Sequence, residues 1–145
     1  MSAKKPDPKL KSGGCLCGAV RFQAQLNGLH YHVCHCERCR KWGGGPAFGA
    51  PASSVKYEEV AGLALFSSSS HGQRYFCKQC GTQLLWQMKS GQTSVIWVGA
   101  LDEGDDLKFE NELFIDSKPT HYSFANETQK LTGAEMKALY AARGA

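Results

Sequence analysis

Seven cysteines could carry the chemistry of this chain, and they fall into three clusters: Cys15-x-Cys17, Cys34-x-Cys36-x-x-Cys39 and Cys77-x-x-Cys80. The number divides naturally as four plus three. A structural zinc takes four ligands in a closed tetrahedron, whereas a reactive zinc keeps three protein ligands and an open position for water or substrate. The odd cysteine therefore points to two metal sites of different kinds. Seven thiols cannot all pair, and closely spaced cysteines in a reducing compartment are metal ligands more often than disulfide partners. A redox Cys-x-x-Cys would want a thioredoxin-like βαβ setting, which the sequence does not offer.

Spacing alone does not say which clusters combine, and three groupings are open. Residues i and i+2 of a strand face the same way, so Cys15 and Cys17 can meet one metal from a single strand. Cys77-Lys78-Gln79-Cys80-Gly81 reads as a zinc knuckle, with Gly81 free to take a positive φ after the second sulfur. Joined, these two pairs would staple segments about sixty positions apart and hold the sheet together.

The middle cluster has a different setting. From Cys34 to Lys41 the chain is expected to leave an extended segment and turn, ending in Gly43-Gly44-Gly45-Pro46. Arg38, Arg40 and Lys41 place positive charge beside the thiols, which lowers a thiol pKa and attracts anions. His30, His32 and His35 lie close by, and one of them as a fourth ligand would close this site as well.

The elements that must position these residues read as mainly β: short alternating apolar runs punctuated by Gly, Ser, Pro and Asp. Strand candidates are residues 19–24, 54–57, 63–66, 83–86 and 94–98, with 113–115 a weaker one. Thr132 and Glu135 form a capping box ahead of Met136, Leu139 and Tyr140, with Gly144 as the stop. So short a helix must dock on the sheet or on a second copy, which leaves a homodimer open. The expected organisation is a frayed tail over residues 1–12, a zinc-stapled domain over 13–131 and a helix over 132–145.

At 145 residues the chain is the size of one domain. No run approaches the ~20 apolar residues of a membrane span, and the start lacks a signal-peptide core, so the expectation is a cytoplasmic protein without membrane contact. A net charge of +4 is a weak basic footprint, and no nucleic-acid partner is expected. The acidic run at 102–106 reads as a solvated loop.

Three stretches, GGCLCGAVRF at 13–22, CHCERCRKWGG at 34–44 and RYFCKQCGTQL at 74–84, resemble the glutathione-dependent formaldehyde-activating family, whose domain is shared with centromere protein V. IWVGALD at 96–102 and FIDSKP at 114–119 extend the likeness. The resemblance implies one domain of twisted, mostly antiparallel sheet, similar in fold to a Rab-interacting zinc protein. It implies that Cys15, Cys17, Cys77 and Cys80 match a structural zinc, and Cys34, Cys36 and Cys39 a more labile one beside a glutathione site. The family reaction joins glutathione to formaldehyde as S-hydroxymethylglutathione, the reverse of a carbon–sulfur lyase step. For the developing alkoxide the nominees are His35, Arg38 and Arg40. One departure is His121, where family members often carry tryptophan.

Two other classes would use the same cysteines differently. In a non-catalytic, zinc-stapled binding module both metals are structural and an exposed apolar patch meets a protein partner. A redox or metal-handling protein would couple oxidation of Cys34, Cys36 and Cys39 to zinc release.

Overall fold

The computed structural model describes residues 5–142, and the expected stop at Gly144 lies outside them. The strand β1 (Leu10–Gly14) forms a hairpin with β2 (Val20–Leu26), in which Val20, Phe22, Ala24 and Leu26 are buried and the intervening residues turn the other way. Leu10, Lys11 and Ser12, read from composition as part of a tail, are paired with Gln25, Ala24 and Gln23. Two contacts invisible in the local sequence hold them: the Lys11 ammonium lies 2.8 Å from Asp106, and Gly13 bridges to Leu101. A Cβ on Gly13 would sit 2.5 Å from the Ala100 carbonyl oxygen, so only glycine fits this approach.

The strands β3 (His30–Cys34), β4 (Ala47–Val60), β5 (Leu63–Ser67), β6 (Gly72–Cys77), β7 (Gln83–Met88), β8 (Ser94–Trp97), β9 (Lys108–Leu113) and β10 (Gln129–Leu131) complete one ten-stranded sheet among the described residues. The fold is mainly β, as expected. The sheet is mostly antiparallel, as the resemblance implies, and is mixed because β9 runs parallel to both β3 and β10. Parallel neighbours need a long connection, and residues 114–128 supply one between β9 and β10 through a 3₁₀ turn at Ile115–Ser117.

β4 is the spine of the sheet. Its 47–49 end pairs with β3, residues 49–52 pair with β8, and residues 52–60 pair with β2. The β2–β4 ladder shifts register at Arg21/Phe22 and again at Gln25/Leu26. Such irregularities add twist and bend a strand, which lets β4 serve three partners.

Two helices were treated unequally by the sequence. The capping box holds: Glu135 accepts from the Thr132 amide at 3.1 Å, and Thr132 Oγ1 accepts from the Glu135 amide at 3.2 Å. The helix it opens, Gly133–Ala142, buries Met136 against Cys34, Cys39 and Leu113, so it docks on its own sheet. The other helix, Glu37–Gly43, replaces the expected turn. We label it α1 and the C-terminal one α2. Among the described residues no helix is long and apolar enough to cross a membrane.

Replacing Thr132 by alanine removes the Oγ1 half of the cap and leaves the backbone amide to bond Glu135. We expect a stability loss of about 1 kcal/mol by denaturant unfolding, the usual effect of losing such a cap. A variant as stable as the parent would show that Met136 burial and the backbone amide bonds to Glu135 and Asp116 suffice to hold α2.

Candidate metal centre

Cys15 and Cys17 do not project from one strand. They occupy the turn between β1 and β2, where Gly18 takes a φ of 84° and the Cys15 amide bonds to the Val20 carbonyl at 3.0 Å. Cys77 ends β6 and Cys80 follows in a tight turn; the Gly81 amide bonds back to the Cys77 carbonyl at 2.8 Å with φ of 79°, as the knuckle reading anticipates. The two turns touch directly, since the Leu16 amide donates to Thr82 Oγ1 at 3.1 Å.

The four sulfurs all lie within 4.8 Å of one another. Cys15 and Cys17 are 3.6 Å apart, and Cys17 and Cys77 are 3.8 Å apart. A tetrahedron with Zn–S bonds near 2.3 Å has edges of about 3.8 Å, so this donor set suits zinc. None of the seven cysteines is in a disulfide. The Thr82 hydroxyl, 3.2 Å from Cys80 Sγ, is the first of several hydrogen bonds that pull the Cys80 thiol down to about 5. A thiol so lowered is ready to bind metal as thiolate.

The second cluster is built locally. Cys34 ends β3, Cys36 is the N-cap of α1 and its sulfur accepts from the Cys39 amide at 3.4 Å, and Cys39 lies in the first turn. At the far end Gly44, with φ of 80°, closes the helix on the Arg40 carbonyl. These three sulfurs also lie within 4.8 Å of one another, and among the described residues no fourth Cys, His, Asp or Glu donor joins them. The cluster can hold a metal and is compatible with zinc. Hydrogen bonds from Cys34 and Cys39 pull the Cys36 thiol far below its ordinary range, with the Arg74 charge adding to the effect. The bonds to Cys36 and Cys39, then burial, push Cys34 the other way.

The sulfurs form one wall of a cavity of about 100 Å³. Trp86, Val95, Trp97 and Leu113 supply apolar walls, and Tyr140 of α2 reaches its rim. Besides the sulfurs, polar groups there are His32, Arg38, Ser68, Ser69, His71 and Arg74. Gly49 makes room beneath: a Cβ would lie 2.3 Å from Val95 Cγ1 and 3.1 Å from His32 Nε2. Burial, then the charge of His30, pushes His32 down to about 4, so it is neutral at neutral pH.

Of the residues singled out in the sequence, Arg38 lines this cavity, and His35 and Arg40 do not. His35 is wholly buried on the other side, with Nε2 donating to Glu112 Oε1 at 2.8 Å and Nδ1 bonded to the Tyr122 hydroxyl at 2.7 Å. Burial would raise Glu112, but bonds from Thr128 and His35 hold it below the usual carboxylate value. Arg40 turns back, its Nε donating to the His35 carbonyl at 2.8 Å. His30 sits 3.6 Å from Glu110, and none of the three histidines joins the sulfurs.

Arg74 is the residue that sequence reading missed. It lies on β6 opposite Trp86 and Phe66, is 3% exposed, and donates from Nη2 to Cys39 Sγ at 3.6 Å. Its guanidinium carbon stands 5.9 Å from the centre of the Trp42 ring, and Nη1 has no hydrogen-bond partner. An arginine inside a strand pattern that otherwise faces inward was the available signal.

The family model of the glutathione-dependent formaldehyde-activating enzymes matches residues 10–117. A relative in Schizosaccharomyces pombe, described as an uncharacterised lyase, is 36% identical over 128 residues, covering 86% of this chain and 92% of that one. A Halomonas elongata protein named for glutathione-dependent formaldehyde activation is 32% identical over 90 residues, and the match spans 52% of this chain and about half (54%) of that protein. A crystal structure of a Rhodobacter sphaeroides protein superposes with a TM-score of 0.55 at 28% identity, covering 63% of this chain and 87% of the other. Both cysteine clusters fall inside the matched stretch, and the S. pombe likeness runs nearly end to end. This chain belongs to the glutathione-dependent formaldehyde-activating enzyme family.

Proposed function

We propose that the protein is a zinc-dependent carbon–sulfur lyase that, in the synthetic direction, joins the thiol of glutathione to formaldehyde or another small aldehyde. The observation that carries this reading is the three-sulfur cluster of Cys34, Cys36 and Cys39, set in a cavity wall without a fourth side-chain ligand among the described residues. The family membership and the names of the relatives support the thiol and the aldehyde. Cys15, Cys17, Cys77 and Cys80 would hold one zinc as a closed staple, and the other three cysteines a second, giving two per chain. Bound there, the second zinc would supply a Lewis-acidic position at the cavity.

The cavity, at about 100 Å³, is smaller than the ~150 Å³ that accepts benzene. It takes the sulfur end of a thiol and a short aldehyde, and the rest of a tripeptide must lie outside. An adjoining groove shares Arg38, Ser68 and Arg74 with the cavity and adds Lys41, Trp42, Phe66 and one acidic residue, Glu37, so cations outnumber the anion three to one. Trp42 and Phe66 stack at 5.7 Å, and the two cations Arg38 and Lys41 suit the carboxylates of glutathione. The sulfur adds to the carbonyl carbon, forming the C–S bond as the C–O π pair moves to oxygen. That oxygen takes up one proton, matching the one the thiol gave up.

In this reading Arg38 touches substrate, while His35 and Arg40 are positioning residues. His35 fixes the Cys34–Cys36 segment to β9 through Glu112, and Arg40 holds the carbonyl that follows Cys34. The reducing cytoplasm is the compartment that keeps such thiols free and supplies glutathione.

Native mass spectrometry of fresh protein should count two zincs per chain and one glutathione adduct; a single zinc and no adduct would move the reading to a stapled binding module. Serine at Cys36 should remove one zinc and the activity while leaving a cooperative melt, whereas serine at Cys77 should give misfolded protein, because a structural zinc contributes about 10–16 kcal/mol of apparent binding energy. A soluble, cooperatively melting Cys77 variant would argue against the staple. Alanine at Arg38 should raise KM for glutathione about tenfold with a smaller effect on kcat, the loss of one charge-assisted contact; an unchanged KM would place the tripeptide elsewhere.

A further inference from the structure

We infer that Arg74 is the buried counter-charge that lets a substrate thiolate join the three cysteine sulfurs, and so acts as the positioning residue that admits anionic sulfur to this cavity. The inference rests on the thiol-binding reading and deepens it. A guanidinium that is 3% exposed is expensive to bury unless an anion answers it. Among the described residues no carboxylate comes within ion-pair distance of Arg74, although Arg21, near the surface, is paired with Asp102. Its one hydrogen bond goes to the sulfur of Cys39, and Nη1 has none. The anion that answers Arg74 is therefore the sulfur cluster.

Charge arithmetic gives that contact a purpose. Three thiolates around a divalent zinc sum to −1, and the Arg74 charge brings the group to zero. A fourth thiolate from substrate then leaves −1; without Arg74 it would leave −2, in a cavity walled by Trp86, Trp97 and Leu113. The four-cysteine cluster carries the same −2 when filled, but Cys17 there is exposed and water can stabilise the charge. In the three-cysteine cluster no sulfur is exposed: Cys34 and Cys39 are buried and Cys36 is half-buried. Arginine suits the role because it keeps its charge when buried and because Trp42 offers its ring face.

The test uses full-length protein loaded with cobalt(II), whose sulfur-to-cobalt charge-transfer absorption rises with each thiolate gained. The probe is 2-mercaptoethanol, which has no carboxylate and so does not report on the groove. For the wild type the absorption should rise and saturate with thiol. Arg74→Met should keep its cobalt and bind the thiol on the order of 10²–10³-fold more weakly, as for one unit charge a few ångströms away at an effective dielectric near 20. Arg74→Lys, which keeps the charge, should recover most of the affinity. Wild-type affinity in Arg74→Met would overturn the inference, as would a lysine variant as weak as the methionine one. If Arg74→Met sheds cobalt, the lysine variant decides alone: near wild-type thiol affinity supports the inference, and a loss as large as that expected for methionine overturns it. A wild type that takes up no thiol would overturn the thiol-binding reading itself and Arg74's part in it.

Discussion

Four sulfurs from two hairpin turns converge on one point, and the shape of the whole sheet depends on that convergence. β2 and β6 are separated in the sheet by β4, β8 and β7, yet the turns that border them bring Cys17 within 3.8 Å of Cys77. A flat sheet would hold them several strand spacings of ~4.8 Å apart. The sheet must curl, and register shifts of the kind that add twist and bend occur on this path between β2 and β4 and again between β6 and β7 at Tyr75/Phe76. The Leu16–Thr82 hydrogen bond and the Lys78 amide bond to Gly62 tie the same corner from the backbone. In the same sheet Trp86 of β7 and Trp97 of β8 line one cavity with Cys34 at the end of β3.

The second cluster obeys a different economy of distance. All three of its sulfurs come from six consecutive residues, arranged by a strand end, a sulfur N-cap and one helical turn. Long-range structure adds the surroundings: Arg74 from β6, Leu113 from β9, and Met136 from α2. Phe114 takes the left-handed conformation with φ of 56°, where a bulky side chain is strained, and its ring lines the cavity while lying 3.1 Å from the Cβ position of Gly133. The same bend thus shapes the cavity and seats the start of α2, whose first amide is held by Asp116 at 2.8 Å.

Much of this was legible from residue types. The split of seven cysteines into four and three, the positive φ at Gly81 and the capping box at Thr132 all follow from local chemistry and are present in the fold. What escaped was decided by partners distant in sequence. A seven-residue helix is too short to display a period, and cysteine is not among the usual N-cap residues, so α1 read as a turn. His35 looked like a site residue because it stands between two ligands, but neighbouring side chains at a strand end point to opposite faces, and His35 follows that rule onto Glu112. Arg74 could not be placed without knowing that β6 passes behind Cys39.

The contrast between one cluster closed over six residues and another closed over more than sixty has a consequence for how the chain is born. Synthesis proceeds from the amino end, so Cys34, Cys36 and Cys39 emerge from the ribosome together and well before Cys77 exists. Closing so short a loop takes far less chain entropy than closing the long one. The three sulfurs of the short cluster can therefore come together before there is a sheet to surround them, while the four-sulfur cluster must wait until both hairpins are made. Cys15 and Cys17 thus wait without their native companions, open to pairing with the three cysteines that follow, until Cys77 and Cys80 are made.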